Sequence, residues 1–373
     1  MTAAGQGVVW GGDQTACVAV IGAGPAGAVA ATKLARAGRR VAVLGPVAPS
    51  PRIAESLPAA GVRLLRRLDL PVPDVGAGAA TDGRPHRPIL GSISAWGGPP
   101  IQEDSFTSPE GPGWRLDRLA FDHAVLGVAQ VAGAEHVPTS VAAVQRDGGG
   151  WTLRLASGRV IRASTLVDAT GRKALIARRL GAKSKIHARR TAIWAQGQRA
   201  DPAAPNRTLI ESTPAGWWYG TRAPDGTPVA VLHTDATTTK ALRATPEQWH
   251  TLLRKTRLIT RHLDPDAFAA ATSQFREAGS RWLTPPVGDG WIACGDAALA
   301  LDPVSSQGLI NAIGTAALAA DTILAADRSA AAQRYSDQLT AQRDRFILWH
   351  DSLYARLGRV AAAETDNIYY GNF

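Results

Sequence analysis

Three glycines and one distant aspartate carry most of the chemistry written into this chain. Gly22, Gly24 and Gly27 lie between an apolar run, Val18 to Ile21, and an alanine-rich stretch, Ala28 to Arg36. A second apolar run, Val41 to Leu44, follows a turn at Gly38. The spacing predicts strand, glycine turn, helix and strand, the unit that seats a dinucleotide pyrophosphate on helix N–H groups. Gly22 makes the tight turn, Gly24 lets the backbone approach the phosphates beside Ala26, and Gly27 lets helix and strand pack closely. A lone glycine fingerprint is weak evidence, but both flanking strands and the helix are in place.

Residues 291–314 indicate which dinucleotide. An apolar strand runs into Gly295-Asp296, and a loop then leads to Gly308, Leu309 and Asn311 at the start of a helix. Asp296 is placed to accept hydrogen bonds from ribityl or sugar hydroxyls. The helix start can aim its positive end at the flavin N1/C2=O, where negative charge collects on reduction. A nicotinamide enzyme has no need of this second half-site, so the pair indicates FAD. Where such enzymes usually place an acid for the adenosine ribose, this chain has Gly45-Pro46, and the next acid is Glu55.

With Val167-Asp168-Ala169-Thr170-Gly171-Arg172, these motifs resemble the FAD-dependent monooxygenases of the para-hydroxybenzoate hydroxylase fold, which include the flavin-dependent halogenases. Arg52 to Pro58, Ser94-Ala-Trp-Gly97, Gly113 to Arg118, Gly216-Trp-Trp-Tyr219 and Asp302 to Gly308 narrow the likeness. They look like the flavoprotein maturases of tryptophylquinone-containing oxidases and amine dehydrogenases. The likeness spans about residues 17–325. It implies an α/β fold: a Rossmann-like FAD-binding domain interleaved with a mixed antiparallel-sheet substrate domain, plus C-terminal helices. It adds Arg52, Arg118 and Asp168 to the cofactor contacts.

The chemistry implied is the cofactor's. Reduced flavin and O2 give a C4a-hydroperoxide that is electrophilic toward aromatic rings, and the protein must shield it and manage a proton. Candidates for the shield are Trp96, Trp217, Trp218 and Tyr219; Pro303, Ser305, Ser306, Gln307 and Gly308 belong beside the flavin, and Glu55 and His233 are acid/base candidates. The reading is a monooxygenase that hydroxylates or oxidises an aromatic ring, by resemblance a tryptophan side chain of a peptide or protein. No second nucleotide-binding unit is present, so NAD(P)H docks transiently or a partner flavin reductase delivers reduced flavin.

Three rivals stand beside this reading. Halogenases guide hypohalous acid with a lysine between flavin and substrate, and none of the six lysines here falls between residues 34 and 172. Arginine cannot replace it, because it stays protonated. An alkene reductase or dehydrogenase of the same fold would need a long aliphatic tunnel. A non-catalytic FAD-dependent partner for a precursor peptide is the third.

Composition bounds the answer. The chain has 373 residues, is 45% hydrophobic and has a net charge of +10, with arginine supplying 35 of 41 cations. The charge suits an acidic carrier, peptide or reductase; without a recognition motif, nucleic acid is not expected. No apolar stretch approaches the ~20 residues of a membrane span, and residues 1–16 read as a leader without a secretory signal, which implies the cytoplasm. Cys17 and Cys294 sit in apolar strands and read as packed thiols, and the eight histidines show no metal-ligand spacing. The FAD domain is expected from residues 15–70, 112–185 and 282–328, the substrate domain from 71–111 and 186–281, and a C-terminal helical segment from 329–373. Within these, helices are expected at 116–132, 246–261 and 332–363, a hairpin at 137–155, and a loose tail over the last ten residues.

Overall fold

The computed structural model describes residues 18–47, 53–73, 86–105, 111–198 and 200–369, with side chains of the final helix described through Arg356. Residues 1–16, Cys17 and Arg52 lie outside the described residues.

The apolar runs Val18–Ile21 and Val41–Leu44 have no polar positions, and both become strands buried along their whole length. Such runs suit a parallel sheet covered on both faces. The sheet has six strands in the order Val287–Gly288, Trp291–Ala293, Thr165–Asp168, Val18–Ile21, Val41–Leu44 and Glu135–Val137. Its members pair in parallel except the antiparallel edge strand Val287–Gly288. Helix Pro25–Arg36 packs against helices Arg118–Val131 and Gly308–Leu324. Because Val18–Ile21, Thr165–Asp168 and Trp291–Ala293 are neighbours running the same way, the loops leaving their C-terminal ends converge, the usual place for a ligand in such sheets.

A seven-stranded, mostly antiparallel sheet stands over that end, ordered Gln274–Glu277, Thr191–Gln196, Pro228–Thr234, Gly216–Arg222, Arg207–Thr213, Gly91–Ala95 and Ile101–Asp104. Alternation divides its residues between two faces. Ile93, Ile193, Leu209, Trp218, Ala230 and Leu232 pack on one side against Leu242, Trp249, Leu253, Leu258 and Ile259 of three short helices. Ala192, Trp194, Val229 and Val231 face the other way, toward Ala54 and Ala278.

Several elements differ from expectation. The predicted helix over 246–261 is two helices, Gln248–Arg254 and Leu258–His262. Buried Glu211 causes the break: its carboxylate accepts from the backbone N–H groups of Arg257, Leu258 and Ile259 at 2.7, 2.9 and 3.0 Å, capping a new helix from a neighbouring strand. The hairpin region is a separate sheet of Val141–Asp147, Gly150–Leu155 and Val160–Ala163. The C-terminal helices are one 42-residue helix, Arg328–Tyr369, which continues where a loose tail was expected. Among the described residues no helix is long and apolar enough to cross a membrane.

Candidate active site

Close packing dictates two of the three turn glycines. At Gly27 a β-carbon would lie 1.8 Å from the Gly22 carbonyl oxygen, and at Gly22, where φ is +115°, it would lie 2.2 Å from that of Ala169. A β-carbon on Gly24 meets nothing within 4 Å. That open face borders a cavity of about 650 Å³ shared by the two sheets, within the range of ligand pockets, ~300–1,000 Å³.

The N-termini of two helices reach this cavity. Pro25–Arg36 begins after Gly24 and Gly308–Leu324 after Gln307; neither has a capping side chain or an acid in its first turn. Their unpaired N–H groups and positive dipole ends therefore favour an acceptor-rich or anionic ligand. Charged groups line the space between. Arg118 is buried, ion-paired to Glu55, and held by both carboxylate oxygens of Asp122 at 3.0 and 3.2 Å. Arg172 Nε stands 3.6 Å from the Asp296 carboxylate. Burial raises the Asp296 carboxyl above its ordinary range against the pull of Arg172.

The sheet supplies the aromatic wall. Trp194, Trp217, Tyr219 and His233 line the cavity. His233 stacks on Trp217 with ring centroids 3.7 Å apart and planes within 7°. Its Nδ1 and the Trp194 Nε1 are buried without a hydrogen-bond partner among the described residues. Trp217 Nε1 donates to the Tyr354 hydroxyl at 2.9 Å, and that hydroxyl donates to Asp302 at 3.1 Å. Buried Arg115 donates to the Tyr219 hydroxyl and, at 3.1 Å, to the Ala54 carbonyl, fixing the ring position. Sequence reading gave no site role to Trp194 or Arg115; alternation along Thr191–Gln196 was the available signal for the first, and the stretch Gly113 to Arg118 for the second.

The expected site residues divide clearly. Gly24, Ala26, Glu55, Arg118, His233, Asp296, Pro303, Ser306, Gly308 and Leu309 line the cavity. Trp218 does not: it points to the opposite face and packs 5.4 Å from Trp249 in the second core, because strand neighbours alternate sides. Trp96 is outside the lining, its ring 6.1 Å from that of Trp217. Asp168 lies outside the lining, and its carboxylate already accepts from the N–H groups of Thr170, Ile176 and Ala177 and from the Thr170 hydroxyl. Asn311 is likewise engaged, donating to the Leu299 carbonyl at 2.6 Å and accepting from Gln342 at 3.1 Å. Gln307 is exposed and outside the lining. Gly295 turns the backbone at φ +61°, and its N–H donates to Thr315. Cys294 touches the cavity, but burial pushes its thiol up, so it is no nucleophile.

Burial lowers the His233 pKa from 6.5 to about 4, so the ring is neutral at physiological pH. Between these values the unfolded chain binds a proton that the folded chain does not. The stability contribution is therefore present above about pH 6.5 and lost as pH falls toward 4, by ~3 kcal/mol at most. His350 works in the opposite sense: burial disfavours its imidazolium, but Asp302 and Asp351 outweigh this and raise its pKa, so its contribution fades as pH rises. Chemical denaturation of wild type and His233→Phe from pH 4 to 7 separates them. The variant should lose distinctly less stability over that interval; parallel curves would refute a buried neutral His233.

The fold and site define an FAD-dependent oxidoreductase. The chain belongs to the tryptophan halogenase family, whose match covers residues 97–354. It is 27% identical over 347 residues to a protein of Marinomonas mediterranea described as the FAD-dependent oxidoreductase LodB, covering 90% of this chain and 92% of that one. It is 25% identical over 319 residues to the 1H-pyrrole-2-carbonyl-[peptidyl-carrier protein] brominase of Pseudoalteromonas luteoviolacea, covering 82% of this chain and 76% of the other. Among solved structures it is similar to the peptidyl tryptophan dihydroxylase QhpG, at 27% identity and a TM-score of 0.70, covering 93% of this chain and 74% of that one.

Proposed function

We propose that this enzyme oxygenates an aromatic ring, a tryptophan side chain presented by a peptide or protein, using FAD, O2 and electrons from NAD(P)H or a partner flavin reductase. The observation that carries this reading is the aromatic wall of Trp194, Trp217 and Tyr219 around neutral His233, on the cavity that the two uncapped helices also reach. The residues suit FAD: Gly24 and the Pro25–Arg36 N-terminus would take its pyrophosphate, Arg118 and Asp296 its polar groups, and the Gly308–Leu324 N-terminus its isoalloxazine carbonyls. Bound there, the flavin would supply the oxygen activation. The protein's own part is to exclude water with the wall and position the ring. Neutral His233, whose Nδ1 has no hydrogen-bond partner among the described residues, would accept a hydrogen bond from an aromatic N–H or hydroxyl and so orient the ring.

Halogenation is the second reading, favoured by family membership. Against it, none of the six lysines lines the cavity among the described residues. Both readings are tested together by incubating the FAD-loaded enzyme with a flavin reductase, NADH, ¹⁸O2, chloride, bromide and a tryptophan-containing peptide. Mass spectra should show one or two ¹⁸O atoms on the indole. A halogen isotope pattern would replace the proposal with its rival, and an unchanged peptide beside an oxygenated free aromatic would remove the peptide substrate.

A further inference from the structure

Beside the aromatic chamber lie a strand edge and a second hollow that the proposed reaction does not use. The strand Gln274–Glu277 is the outermost of the seven-stranded sheet, paired only to Thr191–Gln196 among the described residues. Its end forms part of the chamber, since Arg276, Glu277 and Ala278 line it. Beyond Glu277 opens a second hollow of about 400 Å³, bordered by Arg189, Arg190, Lys240 and Arg243. None of these four cations has a carboxylate partner among the described residues. Arg190 lies over the Tyr354 ring at 4.3 Å and Arg243 over Phe275 at 4.4 Å, which holds their guanidinium groups in place. The acid between the two spaces, Glu277, is ion-paired to Arg281 and leaves the positive charge uncompensated.

We infer that this edge and hollow form the docking site for an extended acidic peptide segment flanking the aromatic residue that enters the chamber. An unpaired strand edge binds an extended backbone by main-chain hydrogen bonds, with side-chain pockets setting specificity. Here the cations select carboxylates, while the adjoining chamber takes the ring. Cations contributed by two separate segments, Arg189-Arg190 and helix Ala236–Ala244, match carboxylates spread along a chain better than one compact phosphate. The inference deepens the proposed function and rests on its reading of the chamber as the place for the target ring.

Fluorescence anisotropy of the FAD-loaded enzyme tests it without turnover. The probe is a labelled Glu-Glu-Gly-Trp-Gly-Glu-Glu peptide, compared with its all-Gln counterpart. The acidic peptide should bind at least about tenfold more tightly. The double variant Arg189→Glu, Lys240→Glu should erase that preference at an unchanged melting temperature and favour a Lys-flanked probe instead. Equal binding of Glu and Gln peptides, or a double variant that binds like wild type, would overturn the proposal. So would pantetheine phosphate or inorganic phosphate displacing the acidic peptide at concentrations below its own Kd, which would assign the hollow to a phosphate-bearing substrate. Should the acidic peptide dock selectively but never gain oxygen, the docking site stands and the hydroxylation reading falls.

Discussion

Gly27→Val leaves no folded flavoprotein, whereas Gly24→Val folds and cannot retain FAD. The two positions are three residues apart in one turn, and their difference is entirely one of surroundings. At Gly27 the new β-carbon would lie 1.8 Å from the Gly22 carbonyl oxygen, a backbone atom that moves only if helix Pro25–Arg36 lifts off the central sheet. That helix buries ten of its twelve residues, so lifting it exposes much of the main core. Stability of ~5–15 kcal/mol cannot absorb that loss. At Gly24 the backbone is extended, φ −78° and ψ −176°, which any residue adopts, and no protein atom lies within 4 Å of the added carbon. The side chain instead enters the cavity where the pyrophosphate would approach the helix N–H groups. Displacing two charge-assisted hydrogen bonds of ~1.5–3 kcal/mol each weakens binding about 100-fold or more. Circular dichroism and flavin-quenching titration read the two effects separately. A folded, FAD-binding Gly27→Val would refute the tight helix–turn contact, and a Gly24→Val of unchanged affinity would show that the phosphates do not sit in this turn.

The adjacent tryptophans should separate in the same manner. Trp218→Ala removes a fully buried indole from among Trp249, Leu209 and Leu232, and such deletions cost ~3–5 kcal/mol, most of the stability of an ordinary domain. The melting temperature falls sharply, while the protein that remains folded binds aromatic ligands as before. Trp217→Ala also costs stability, but it takes away the surface on which His233 stacks and one side of the chamber. Affinity for an aromatic ligand should drop about tenfold, the scale of one lost ring–ring contact with its buried area. Calorimetric melting and titration with an indole ligand decide the matter. A ligand-binding defect in Trp218→Ala that matches Trp217→Ala would mean that the strand presents the other face to the substrate.

Local pattern revealed the cofactor half of the molecule. Uninterrupted apolar strands, glycines where backbones touch and a helix opening without a capping side chain are consequences of nearest-neighbour chemistry, so they can be read from residues 18–44 alone. Asp296 and Gly308 were legible for the same reason, because each follows directly on a buried strand or opens a helix. Glu211 was not: its effect is to divide a helix forty-six residues away, across a strand pairing that no local window contains.

The order of residues along the chain led to the expectation that two distant segments converge, and both line one cavity. Only the tertiary structure decided which polar groups remained free to serve it. Asp168 and Asn311 look like ligands in one dimension, yet backbone groups from other elements take up their hydrogen-bonding capacity before any cofactor arrives. His233 and Trp194 look like ordinary strand residues, yet both line the cavity, each with a buried polar atom that no described residue pairs. Whether a donor or acceptor is satisfied depends on everything within 3 Å of it, and that neighbourhood exists only once the sheets have closed on each other.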